Sequence, residues 1–146
     1  SGLIRMFAPT RDQARQFLFE TWRKYNAGEP LSALEKIALD VLVRHPEYHA
    51  MLDAPERYSD RDYGPESGQM NPFLHINLHL AVEEQLSIDQ PPGIRVEYER
   101  LRALRGDEHD AQHDLLECLG EVLWQSQRNG VSLDAALYLD CLRRKR

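Results

Sequence analysis

Long apolar runs are missing from this chain. No stretch of 18 consecutive apolar residues occurs, so no membrane-spanning helix is expected. β-Branched residues are sparse and apolar–polar alternation is never sustained, which argues against a sheet. Cysteine is scarce: Cys118 and Cys141 stand alone, with no CxxC pair, which excludes a thiolate zinc cluster and a dithiol redox motif. Both sit beside leucines in helical patterns and read as buried, reduced thiols. There is no G-x-S-x-G elbow, phosphate loop or dinucleotide fingerprint. Positive charge is clustered only at Arg143, Arg144, Lys145 and Arg146, and the net charge is −6 at pH 7. Nucleic acid is therefore not an expected partner, because phosphate contacts need grouped Lys and Arg. The basic tail reads instead as the cationic end of the last helix dipole. The opening lacks an apolar leader, so the cytoplasm is the expected compartment. Residues 1–5 read as a cloning remnant ahead of Met6, and residues 6–146 as a single helical domain.

What the chain does contain is the material of a helical core. Of its 146 residues, 42% are hydrophobic and 29% charged, a balance that suits one soluble domain able to fold without a structural metal. A first helix is expected over 11–26, with Thr10 as N-cap and Gly28 beyond its end. Ser32 and Glu35 form an S-x-x-E capping box that opens a second helix over 33–44. Pro46 ends that helix or starts a short one through His49 and Leu52. Residues 53–71 are rich in turn formers and read as a long loop with one short helical turn. Its Tyr58, Asp60, Arg61, Asp62, Tyr63 and Glu66 could rim a site. Asn71 and Pro72 then give a strong helix start running to about Asp89. Further helices are expected over 94–105, with Gly106 as C-cap, over 108–128, with Asp107 as N-cap, and from Ser132 through Leu142. The predicted fold is all-α: a single-domain bundle of four or five main helices, with the long loop before the central histidine-bearing helix.

All six histidines fall into pairs four residues apart: His45/His49, His75/His79 and His109/His113. Chance placement gives about 0.2 pairs at this helix-neighbour spacing. Positions i and i+4 project from one helix face, so two imidazoles can reach one ion, as in an HExxH helix. Two pairs continue the step to a carboxylate, at Glu83 and at Glu117. With His75 at 0°, His79 lies at about 40° and Glu83 at about 80° round the helix. The surrounding leucines and isoleucines mark this helix as buried, and buried imidazoles need partners. Glu84 is the fallback carboxylate if the helix is rotated. His109 lies at the edge of its apolar face, His113 farther round, and Glu117 among solvated acids. His45 and His49 straddle Pro46, and His49, inside a helical turn, is the better candidate of the two.

The stretches NPFLHINLHLAVEEQLSIDQPPGIR and GDEHDAQHDLLECLGEVLWQSQR, with the opening MFAPTRDQARQFLFETW, resemble a family of short proteobacterial proteins defined only as domain of unknown function 1841. That resemblance runs from Met6 onward and implies a bacterial cytoplasmic protein, but no activity. In histidine spacing and helix count the chain is also similar to DinB-like and hemerythrin-like bundles, which gather histidines from several helices round metal. The His109-Asp110 dipeptide resembles that of the HD phosphohydrolases, without their full set of partner residues.

The leading expectation is a bundle that holds a divalent transition metal such as zinc, iron or manganese. His75 and His79 would anchor it, with Glu83, His109, His113 and His49 completing the ligand set. Its chemistry would be hydrolytic with zinc or oxygen-linked with iron. The alternative is a metal-free helical interaction module with structural histidines, meeting a protein partner or a second copy of itself.

Overall fold

The computed structural model describes residues 11–63 and 71–146. Among the described residues the chain is all-α, with eight α-helices, one 3-10 turn and no strand. The expected Thr10 cap, Glu66 and the expected cloning remnant at residues 1–5 lie outside the described residues. No helix among the described residues is long and apolar enough to cross a membrane. The chain separates into two compact units that meet between Leu80 and Ala81, inside one helix.

In the first unit, α1 spans Arg11–Ala27 and α2 spans Ala33–Val43. The capping box that opens α2 is fully formed: Ser32 Oγ accepts from Glu35 N–H, and Glu35 accepts from Ser32 N–H at 2.9 Å. Pro46 and Pro55 each restart the chain, giving a 3-10 turn at Pro46–Tyr48 and short helices α3 (His49–Leu52) and α4 (Pro55–Tyr58). Helix α5 spans Pro72–Ile88. Asn71 Oδ1 accepts from the N–H groups of Phe73 and Leu74, satisfying two of the donors a helix start leaves open. Leu18, Phe19 and Trp22 of α1 join Ala38, Val41 and Leu42 of α2, Met51 and Leu52 of α3, and Phe73, Ile76 and Leu80 of α5 in one core.

In the second unit, α6 (Ile94–Arg105), α7 (Glu108–Asn129) and α8 (Ala135–Arg143) follow the end of α5. Gly106 adopts the left-handed conformation (φ 72°) that closes α6, and Asp107 caps α7. Helix α8 begins later than the sequence suggests. Asp134, rather than Ser132, accepts from the N–H groups of Ala136 and Leu137, since a carboxylate caps as well as a hydroxyl and stands directly before the apolar run. The core is built from Ile94, Leu101, Leu115, Leu119, Tyr138 and Leu142, all fully buried, and Tyr138 O–H donates to Gln85 at 2.7 Å. The expectation of reduced thiols is corrected here. Cys118 of α7 and Cys141 of α8 form a disulfide, their Cα atoms 5.8 Å apart. The packing of α8 on α7 brings together two cysteines that lie 23 residues apart in sequence.

Candidate metal centre

The first unit gathers three histidines from two elements. A residue before proline is driven out of the helical region, and His45, with φ −123° and ψ 68°, obeys that restriction. Helix α2 therefore stops, and the imidazole of His45 meets Glu47 and Tyr48 of the following turn and the histidines of the later helix. On α5, His75 and His79 stand one turn apart with ring centroids separated by 4.9 Å. The His45 ring lies 5.0 Å from that of His75 and 4.8 Å from that of His79. His45 and His79 are only 4% and 2% exposed, and His75 is half-buried.

The nitrogen geometry is closer still. His45 Nε2 and His79 Nε2 are 3.1 Å apart. Each of the three histidines offers a ring nitrogen within 4.8 Å of those of the other two. At metal–nitrogen bonds near 2.0–2.1 Å, two ligands on a tetrahedral ion are separated by about 3.3–3.4 Å, and by about 2.9 Å at a right angle. The His45–His79 pair already falls between those values. Any pair near the 4.8 Å limit would need to close by roughly 1.4 Å to share a tetrahedral ion, within reach of imidazole rotation.

A carboxylate stands behind the first ring. His45 Nδ1 lies 2.6 Å from Glu47 Oε1, across the 3-10 turn. Burial works against the Glu47 charge, yet the hydrogen bond with His45 and the pull of His45 and His75 hold its carboxyl below the ordinary range. Tyr48 stacks on His45, with centroids 5.5 Å apart and planes at 18°, and meets His75 edge-on. Burial raises the Tyr48 phenol above its ordinary pKa, and the Glu47 charge adds to this, so it stands beside the histidines as a neutral hydroxyl at physiological pH.

The structure brings His75 and His79 together as their spacing predicts, and adds His45. His49, the candidate the sequence favours over His45, is turned elsewhere: its Nε2–H donates to the Leu42 carbonyl at 2.8 Å and its ring packs 4.4 Å from Trp22. Glu83 lies one turn beyond His79 on α5, in the second unit, and accepts from Gln112 Nε2 at 2.7 Å. Also in the second unit, His109 and His113 pack together with centroids 4.2 Å apart, and Glu117 takes an exposed ion pair with Lys145. The residues that sequence reasoning undervalued are His45 and Glu47. The H-P-E tripeptide held their signal, because a histidine before proline cannot continue the helix that precedes it.

No curated protein and no solved structure matches this chain. A family profile does: residues 10–144 match the family described as Domain of unknown function (DUF1841), and the chain belongs to that family.

Proposed function

We propose that the protein binds one divalent transition-metal ion in its first unit, through His45, His75 and His79. The observation that carries this reading is the 3.1 Å approach of two buried imidazole Nε2 atoms, with a carboxylate on the far nitrogen of one of them. Neutral imidazoles suit zinc, iron and other borderline metals over calcium or magnesium, which prefer oxygen. Three protein nitrogens leave room for a further ligand, and a metal so held lowers the pKa of bound water or accepts an exogenous donor. His109 and His113 remain candidates on their HxxxH step. Glu83, engaged by Gln112, and His49, engaged by Leu42, would each have to give up a hydrogen bond to join.

Elemental analysis of untagged protein beside a His45→Ala/His79→Ala variant tests the reading. Near-stoichiometric zinc, iron or manganese in the wild type, lost in the variant, is expected. Wild-type protein that carries no metal, and gains no melting temperature from added Zn²⁺, Fe²⁺ or Mn²⁺, would overturn it. The 3.1 Å contact would then be an N–H···N hydrogen bond, and the histidines part of the metal-free interaction module.

A further inference from the structure

We infer that Glu47 is the positioning residue of this centre: it fixes the tautomer and direction of His45 so that Nε2 is presented as the metal-binding lone pair. The inference rests on the metal reading above and deepens it. An ionised carboxylate can only accept, so the 2.6 Å contact places the proton on His45 Nδ1. In a neutral ring the other nitrogen is then the acceptor, and that nitrogen, Nε2, faces His79 Nε2 at 3.1 Å. Metal-bound histidines recurrently pair their second nitrogen with a carboxylate or carbonyl, which sets the ring plane and raises donor strength.

Three further observations support the assignment. Glu47 sits in the first turn of the 3-10 segment, two residues from the ring it holds, so its reach depends on local backbone and not on a distant element. Its side chain is 55% exposed while that of His45 is 5% exposed. Glu47 therefore contributes little to the apolar core, and its contact with a buried imidazole is the main role its position allows. Tyr48, stacked on the same ring with planes at 18°, restricts its rotation. Two adjacent residues thus hold His45 in plane and in tautomer, whereas His75 and His79 are aimed by the α5 backbone itself.

The test compares wild type, Glu47→Ala, Glu47→Gln and His79→Ala by Zn²⁺ titration against a competing chelator. Glu47→Ala is expected to weaken Zn²⁺ binding about 10–100-fold, and Glu47→Gln, which keeps an acceptor without the charge, by less. Removing the partner of a buried imidazole N–H also lowers the melting temperature of metal-free Glu47→Ala, so the readout that a merely structural role would not move is the tautomer of His45. Wild-type affinity in Glu47→Ala would overturn the inference and leave the metal site standing. Long-range ¹⁵N–¹H correlation of the metal-free protein, at a pH where the rings are neutral, gives an independent reading. A His45 proton on Nδ1 in the wild type that redistributes in Glu47→Ala is expected. That result with no Zn²⁺ bound would uphold the orienting contact and reject the metal reading. A His45 proton on Nε2 in the wild type would reject the inference outright.

Discussion

Replacing Arg15 with methionine should cost about 2–3 kcal/mol of stability, concentrated in the segment before the histidine-bearing helix. Arg15 is 4% exposed. Its Nη1 lies 3.2, 3.0 and 2.7 Å from the carbonyl oxygens of Tyr58, Ser59 and Arg61. That nitrogen carries two hydrogens, so three acceptors share two charge-assisted bonds, each worth about 1.5–3 kcal/mol. The upper sum, about 6 kcal/mol, is reduced by two effects. Methionine ends the cost of burying a charge. Tyr58 and Ser59 are half-buried and Arg61 is exposed, so water can reach some of the released carbonyls. Methionine also keeps apolar contact with Phe73, whose ring centroid lies 4.2 Å from the guanidinium carbon. Equilibrium urea unfolding gives the total, and amide hydrogen exchange over residues 55–63 gives the local share. Arg15→Lys should recover less than half of the loss, since an ammonium lacks the planar fork. A loss below about 0.5 kcal/mol, the scale of an ordinary surface change, would refute the reasoning and make the buried guanidinium a spectator.

What could be read along the chain was local. The Ser32–Glu35 box and the Asn71–Pro72 start are written within four residues, and both form as written. His75 and His79 were legible because one helix turn suffices to place them on one face. His45 was not, because its meeting with His79 spans 34 residues and depends on how the chain leaves α2 at Pro46. Preference for His49 rested on helical continuity, but that helix delivers its imidazole to the Leu42 carbonyl and the Trp22 ring. Periodicity places Glu83 about 80° from His75, but it cannot show that Gln112 donates to it. The cysteines failed for a related reason. Motif spacing tests ligation within one loop, while Cys118 and Cys141 pair only once two helices pack.

Two further outcomes follow from single contacts. Glu35 is held below its ordinary pKa by the Ser32 N–H and by Lys24, against the cost of burial. A depressed folded pKa stabilises above the unfolded value and is lost as pH falls through the folded one. The melting-temperature gap between wild type and Glu35→Gln should therefore be steady near neutrality and shrink below about pH 4.3; a gap indifferent to acid would reject that account. The Cys118–Cys141 bond closes a segment of 23 residues, which on loop-closure entropy is worth about 3 kcal/mol. Urea unfolding of oxidised protein against Cys118→Ser/Cys141→Ser should show that loss in the second unit. Zn²⁺ affinity should stay unchanged, because His45, His75 and His79 all belong to the first unit. A serine pair as stable as the oxidised protein would mean that α7 and α8 hold each other without the covalent link. A fall in Zn²⁺ affinity would mean that the second unit takes part in binding, and the three-histidine centre would have to be enlarged.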